Sequence, residues 1–156
     1  MTTPVPRSVV QAFLQAFAER DTAKLVPLLH DDVSWSVVGP IELLSFCGER
    51  HGKAEVVDLI DRVGPATYRV TRFEPEMLLV DADRCAMLGR IGGMTEDGRS
   101  ISYHYSVFVR FVEEKVAEYR SIIDSFDAAE QVLGHQILLS ADRAAASFAR
   151  GNLIAV

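Results

Sequence analysis

The stretch "SISYHYSVFVRFVEEKVAEYRSII", residues 100–123, decides the fold. Its first half alternates between two sets of residues, which is the period-two pattern of a β-strand. The first set is apolar or aromatic and the second is mixed: Ile101, Tyr103, Tyr105, Val107, Val109 and Phe111 against Ser100, Ser102, His104, Ser106, Phe108 and Arg110. The alternation resumes after "EE", so the stretch predicts an antiparallel hairpin with one strongly apolar face.

More strands precede this hairpin. The segments "YRVTRF", "MLLV" and "RCAMLGRIGGM" have strand periodicity, and the short polar turns "DADR" and "TEDGR" follow them. Together with the hairpin they predict an antiparallel meander. An earlier segment, "DDVSWSVVGP" at residues 31–40, places Val33, Trp35 and Val37 on one face and predicts a separate opening strand.

Helical periodicity dominates the part of the chain before the meander. Residues 8–20 carry apolar side chains at helical spacing, with Ser8 as the expected N-cap. Asp21 is expected to cap a shorter helix that Pro27 bends. The segment "GKAEVVDLIDRVG" predicts a third amphipathic helix that ends at Gly64.

Helical patterns return at the carboxyl end, in "DSFDAAEQVLG" and in the Ala-rich "SADRAAASFARG". The order of elements therefore predicts an α+β fold, in which a curved antiparallel meander sheet wraps around three N-terminal helices and an extra C-terminal helix follows. Such an arrangement leaves a conical cavity between the sheet and the helices.

Composition limits the possible partners. The 156 residues are 49% hydrophobic, enough for one domain with its own core, and the net charge is -6 with Lys and Arg scattered singly. We therefore expect no nucleic-acid and no membrane partner. Cys47 and Cys85 lack metal or redox spacing, so we expect buried free thiols, no metal and no cofactor. The start "MTTPVPRS" lacks the apolar core of a signal peptide, which suggests a cytoplasmic protein.

Three segments carry a family resemblance: "VVQAFLQAFAERDTAKLVPLLHDDVSW", "GPIELLSFCGERHGKAEVVDLI" and "VFVRFVEEKVAEYRSIIDS". With them the chain resembles the nuclear transport factor 2-like superfamily, in particular its SnoaL-like and ketosteroid-isomerase-like members. The resemblance implies a cystatin-like α+β cone. It divides the chain into a disordered N-terminus at residues 1–7, a SnoaL-like domain at residues 8–134 and a C-terminal helical extension at residues 135–156. Folds of this kind host many activities.

Steroid isomerases of this family use an Asp base on the first strand, and a Tyr and a protonated Asp as an oxyanion hole. In this chain Phe13 stands at the position of that Tyr, and Val107 at the position of the buried acid. The base position falls on Ser36 or Val37. The resemblance thus implies that the isomerase mechanism is lost.

Limonene-type epoxide hydrolases of the same fold use an Arg-x-Asp pair, a second Asp, a Tyr and an Asn to hold and activate water. Arg90 matches the Arg, whereas Gly92 replaces the paired Asp and Ser121 replaces the acid of the last strand. Trp35 and Val37 stand at the positions of the Tyr and the Asn. This mechanism is also not expected.

Three residues are candidates for catalysis. Arg90 would point into the apolar cavity in the family's register, where the carboxylate or enolate of a ligand would balance its charge. A shift of one residue would instead put it on the outer face, in a salt bridge or dimer contact. His51 would transfer a proton near the cavity mouth, or would have only a structural role at the junction of a loop and a helix. Asp124 would be an acid at the end of the last strand, or the cap of the next helix.

Further residues are candidates for ligand binding because they lie on inward faces of the predicted elements. Tyrosines combine an apolar ring with a polar tip and can fix a ligand's orientation. The predicted set is Trp35, Val37, Tyr103, Tyr105, Tyr119, Ser121 and Phe13.

Two functions follow as hypotheses. The first is an isomerase, cyclase or hydratase acting on a small hydrophobic molecule. The second is a noncatalytic carrier or sensor of such a molecule. We also expect a homodimer, because Phe108 and Ile122 would otherwise be exposed on the outer face of the meander beside His104 and Arg110.

Overall fold

A computed structural model describes residues 4–138 of the chain. The elements, in chain order, are α1 (Arg7–Glu19), α2 (Thr22–Leu25), β1 (Leu29–Val38), β2 (Gly48–His51), α3 (Gly52–Asp58), α4 (Gly64–Thr67), β3 (Arg69–Asp81), β4 (Arg84–Met94), β5 (Ser100–Val112), β6 (Lys115–Ile123) and α5 (Ser125–Leu133). A short 3₁₀ turn, Val26–Leu28, precedes β1, and a π-helical turn, Leu59–Val63, joins α3 to α4. Among these described residues no helix is long and apolar enough to cross a membrane.

The six strands form one curved, mixed sheet in the order β2-β1-β6-β5-β4-β3. Strands β3 to β6 form the predicted antiparallel meander, and the α+β class is confirmed. The opening strand, whose partner the sequence did not predict, is β1, and it pairs in parallel with β6. Strand β2 pairs with β1 in antiparallel fashion, and the sequence pattern did not predict it.

The core lies between one face of the sheet and the helices. In β5 every second side chain from Ile101 to Phe111 is buried, as the alternation predicts. Helix α1 turns Val10, Phe13 and Phe17 toward that face, because residues three and four positions apart share one side of a helix. This shared core fixes α1 against the sheet and defines one wall of a cavity.

Several predicted helix boundaries are corrected. Pro6 occupies the N-cap of α1, so Ser8 lies inside the helix and makes no cap. Asp21 does cap α2, accepting a hydrogen bond from the Lys24 N–H at 3.0 Å. Pro27 bends no helix, since it lies in the 3₁₀ turn that leads into β1. Gly64 is no helix end either: its φ is -61°, and the helical path continues to Thr67.

The predicted disordered N-terminus, residues 1–7, lies partly outside the described residues. Within its described part, residues 4–7, Val5 is buried and its N–H donates to the Ala82 carbonyl at 2.9 Å. At the other end, residues 135–138 are not helical. The predicted Ala-rich helix lies outside the described residues.

Candidate functional site

A cavity of about 440 Å³ lies between the buried face of the sheet and the helices. Its size falls in the range of small-molecule pockets, which is roughly 300–1,000 Å³. Most of its wall is apolar or aromatic. The side chains that form its interior include Phe17, Arg20, Trp35, Val37, Phe46, Leu59, Ile60, Tyr68, Val70, Phe73, Ile91, Tyr103, Tyr105, Tyr119, Ser121 and Ile123.

One wall of the pocket is a stack of aromatic rings. Trp35 and Tyr119 lie side by side because β1 and β6 pair in parallel with these two residues in register. Their ring centroids are 3.6 Å apart and their planes differ by 8°. Phe17 packs on both rings, at centroid distances of 5.7 Å and 5.6 Å. The result is an apolar wall of three packed aromatic rings, against which the ring system of a ligand can pack.

All four tyrosines of the chain line the pocket. The hydroxyls of Tyr68 and Tyr103 share a short hydrogen bond, and the Tyr105 hydroxyl lies 4.0 Å from the Met87 sulfur. Burial raises the pKa of each of the four phenols, including that of Tyr119. These groups are therefore protonated at neutral pH, and they can donate hydrogen bonds but cannot serve as bases.

Gly89 provides the space that Tyr105 occupies. A Cβ atom at this position would lie 2.8 Å from the Tyr105 hydroxyl and 2.5 Å from the carbonyl oxygen of Glu74. Both separations are shorter than a van der Waals contact, so any other residue here would displace the strand or the ring. The absence of a side chain on β4 thus sets the position of a pocket tyrosine on β5.

Arg20 contributes a positive charge to this apolar pocket. It forms the C-cap of α1 with a left-handed backbone, φ 55° and ψ 30°, an uncommon conformation for a residue other than glycine. Its guanidinium carbon lies 4.3 Å from the centroid of the Phe17 ring. Burial lowers the pKa of Arg20, and the neighbouring tyrosines partly offset this effect. An arginine nevertheless remains charged at neutral pH.

The Arg20 guanidinium has no counter-charge within residues 4–138. Its Nε atom is enclosed by protein and forms no hydrogen bond, the one side-chain nitrogen or oxygen of the described residues in this state. Glu19 lies on the rim of the pocket, but it is exposed and pairs with Lys24 at 2.9 Å. No histidine and no other acid of the described chain lines the pocket.

Two more arginines, Arg69 and Arg72, lie on the pocket wall and are exposed. Arg72 pairs with Glu74 at 3.4 Å. Both side chains are exposed, whereas Arg20 is half-buried and its Nε is enclosed. Among the described residues, no group of three or more His, Cys, Asp or Glu side chains is arranged to hold a metal ion.

Most of the predicted binding residues do lie in the pocket wall. Trp35, Val37, Tyr103, Tyr105, Tyr119 and Ser121 are all among its lining residues. Phe13 is the exception: it is fully buried behind the wall and packs edge-on against Trp35 and Phe111. It supports the aromatic stack from the α1 side and is not among the lining residues.

The expectation that Arg90 points into the cavity is wrong. Its neighbours Gly89 and Ile91 occupy the inward positions of β4, so alternation directs Arg90 to the outer face. There it donates to the Ser102 hydroxyl at 3.2 Å, and its Nη2 lies 3.2 Å from Nε2 of His104. This is the alternative that the sequence left open.

His51 and Asp124 also lie away from the pocket wall. His51 is exposed at the end of β2, and its backbone N–H donates to the Glu55 carboxylate at 2.8 Å. Asp124 is exposed, and its carboxylate accepts from the Asp127 N–H at 3.3 Å at the start of α5. Both occupy the structural alternatives, a loop-helix junction and a helix cap, rather than catalytic positions.

Comparisons with known proteins agree with this architecture. Residues 10–119 match the SnoaL-like domain family. A proposed isomerase from Rhodopseudomonas palustris is 27% identical, with a TM-score of 0.74 over 81% of this chain and 97% of that one. TerC, crystallised with polyporic acid, is 18% identical, with a TM-score of 0.72 over 81% and 96%. An LEH-like epoxide hydrolase from M. tuberculosis is 16% identical, with a TM-score of 0.64 over 81% and 88%.

The curved sheet and its similarity to solved structures define an α+β cone, the fold of the nuclear transport factor 2-like proteins. The chain belongs to the SnoaL-like domain family, whose model matches most of its length. The family resemblance inferred from the sequence is thereby confirmed. A comparison with curated protein sequences gave no match. Below 25% identity a solved structure shows the fold alone, which applies to TerC and to the epoxide hydrolase.

Proposed function

We propose that this protein binds a small, largely apolar molecule in the pocket, as a noncatalytic carrier or sensor. The observation that carries the proposal is the pocket itself: about 440 Å³, with a stacked Trp35–Tyr119 wall and tyrosine hydroxyls as its main polar groups. Pockets of this size and polarity bury most of the surface of a small ligand.

The protonation states of the pocket favour binding over catalysis. A general base must ionise near the working pH and reach the proton that it removes. Burial raises the pKa of the pocket tyrosines, which moves them away from that range. The one acid on the rim, Glu19, has its pKa lowered by its hydrogen bond to Lys24. Hydrogen-bond donors thus line the pocket interior, whereas the one carboxylate that the described residues place at the pocket lies on the rim and is held by Lys24.

The experiment uses Trp35, the only tryptophan of the chain, as a reporter. We expect neutral bicyclic and tricyclic hydrocarbons bearing one carbonyl group to change its emission and to raise the unfolding midpoint. Val37→Phe, which fills the pocket, should weaken binding at least about tenfold, the effect of roughly 1.4 kcal/mol. Val38→Phe is the matched control, because Val38 is exposed on the same strand and is not a lining residue. If neither a compound of this panel nor a carboxylate or enolate of similar size changes the emission or the midpoint, the proposal is wrong.

An enzymatic function is the second candidate, and the 27% identity to a proposed isomerase supports it. In that case the hydrogen-bonded hydroxyls of Tyr68 and Tyr103 would polarise a carbonyl oxygen of the substrate. The test is to incubate each bound ketone with the protein in D₂O. Deuterium uptake next to the carbonyl, absent in Tyr103→Phe, would support catalysis and count against a pure carrier.

A further inference from the structure

We infer that the natural ligand carries an oxyanion, a carboxylate or an ionised enol, and that this group pairs with Arg20 inside the pocket. The inference rests on the proposed function, because it assumes that the pocket is the binding site. It adds the chemical class of the ligand: an apolar body with one acidic oxygen function.

Arg20 faces the pocket without a partner among the described residues. It is a lining residue, its guanidinium is deeply surrounded by protein, and its Nε is enclosed with no hydrogen bond. Within residues 4–138 no salt bridge reaches this guanidinium. Its packing on the Phe17 ring compensates only part of the lost hydration, since a cation–π contact is weaker than a charge-assisted pair.

Other arginines of the same chain have partners within the fold. Arg99 binds the Asp97 carboxylate and donates to the carbonyls of Gln131 and Val132. Arg110 pairs with the Glu118 carboxylate at 2.7 Å. These guanidinium groups are satisfied by the fold, and a structural role explains them. The Nε of Arg20 is enclosed and yet forms no hydrogen bond, so the fold alone does not account for its position.

Tyrosine hydroxyls are the other polar groups that act on the Arg20 guanidinium. The polar groups that affect its charge are the phenols of Tyr119, Tyr68, Tyr103 and Tyr105, all held protonated by burial. Hydroxyl donors around a guanidinium can bind an anion, and the guanidinium itself would repel a second cation. Because Nε is enclosed, the terminal nitrogens remain for the ligand, and two terminal nitrogens can hold one oxyanion or both oxygens of a carboxylate.

The single charge of Arg20 limits which anion the pocket can hold. Arg20 is the one cation enclosed within the pocket of the described chain, while Arg69 and Arg72 are exposed on its wall. A single cation in an apolar site balances one negative charge, and a phosphate dianion would be left with charge to spare. A monoanion on an apolar skeleton matches both the charge and the wall.

The test compares charged and neutral ligands of the same shape by calorimetry at pH 7. One arm uses adamantane-1-carboxylate against adamantane-1-carboxamide, and the other uses 4-hydroxycoumarin, as its enolate, against 4-methoxycoumarin. We expect the wild type to prefer the anion at least tenfold in one arm. That arm then identifies the oxyanion as a carboxylate or an ionised enol.

The variants are Arg20→Gln, Arg20→Lys and the control Arg72→Gln. Arg72 is also an arginine on the pocket wall, but it is exposed and paired with Glu74. We expect Arg20→Gln to bind the neutral probes as the wild type does and to lose the preference for the anion. Arg20→Lys should keep part of the preference, and Arg72→Gln should keep it within twofold. The unfolding midpoint of Arg20→Gln should be equal to that of the wild type or higher.

The outcomes separate the two proposals. If the probes and the earlier neutral panel all fail to bind, the proposed function itself is wrong. If the wild type binds the charged and neutral members of both pairs equally, or if Arg20→Gln keeps the preference, only the inference about Arg20 is wrong. A large fall in the midpoint of Arg20→Gln would show a structural role instead and would also count against the inference.

Discussion

In the ligand-free protein, the conformation and surroundings of Arg20 are energetically unfavourable. A buried donor without a partner costs about 1–3 kcal/mol, and a left-handed backbone adds roughly 1 kcal/mol at a residue with a Cβ atom. The cation–π contact with the Phe17 ring offsets only about 0.5–1 kcal/mol of this energetic cost. Residues with such unfavourable local energies concentrate at functional sites, where a ligand completes the missing interaction.

The two thiols are a second case in which burial sets reactivity. Cys47 and Cys85 are buried, and desolvation raises the pKa of each from 9.0 to about 11. We expect neither thiol to react with a disulfide reagent at pH 8 in the native protein, and both to react in denaturant. Reaction of either cysteine without unfolding would contradict this burial.

The same thiols also give a pH dependence with a definite sign. A thiol whose pKa is higher in the folded state favours folding fully below pH 9.0, where both states are protonated. This contribution is lost as the pH rises toward about 11, because the unfolded thiol ionises first. Urea titrations should therefore show lower stability at pH 10.5 than at pH 8. The double variant Cys47→Ala, Cys85→Ala should show a smaller decline.

At the scale of single elements, sequence alternation predicted some strands correctly. In β5 the inward set from Ile101 to Phe111 is buried as expected, because the strand pairs on both sides and its register leaves no freedom. In β4 the same rule would have placed Arg90 outside, next to Leu88, since Cys85, Met87 and Ile91 form the apolar set. The family resemblance suggested the opposite face, and alternation within the strand was the better guide.

Arg20 and Tyr68 were missed for a different reason. Arg20 follows the last turn of α1, where a charged residue before an aspartate normally indicates a solvated helix end. Its left-handed backbone redirects the chain, and no residue pattern announces that change. Tyr68 follows α4 in a segment expected to lie beyond the third helix, and the helical path through the π turn brings it to the pocket.

The cap of α5 offers a test of the role of Asp124. Its carboxylate accepts the Asp127 N–H, and asparagine caps a helix about as well as aspartate. We expect Asp124→Asn to keep the stability of the wild type and Asp124→Ala to lose about 1 kcal/mol in urea titrations. Neither variant should change the affinity for the adamantane or coumarin probes. Loss of binding or turnover in Asp124→Asn would restore the catalytic interpretation.

At the scale of the whole molecule, strand order determines what the pocket contains. The parallel pairing of β1 with β6 joins segments that lie far apart in the chain, and it brings Trp35 beside Tyr119. Local patterns predict strands and faces but not which strand lies beside which, because that choice depends on packing of the complete chain. The meander was therefore predictable from sequence, whereas the aromatic wall required the structure.

The outer face of the sheet has a second property of the whole molecule, an apolar patch. Leu79 and Phe108 lie in one cross-strand row, and Met77, Leu88 and Ile122 lie in the adjacent row. Each of these side chains is between 38% and 58% exposed. Large exposed apolar patches on a soluble domain indicate a contact surface, and a sheet face suits a self-complementary two-fold contact. We therefore propose a homodimer through this face.

The dimer is tested by placing a charged residue in the apolar patch. We expect light scattering to give twice the mass of the 17.2 kDa chain for the wild type, and a monomer for Phe108→Asp, because a carboxylate at the centre of a dry contact loses its hydration. Phe126→Asp is the matched control, since Phe126 is 59% exposed but lies on α5. It should remain dimeric.

Both variants should keep probe affinity within about twofold, because the pocket lies on the opposite face of the sheet. A monomeric wild type at high concentration would refute the proposed interface.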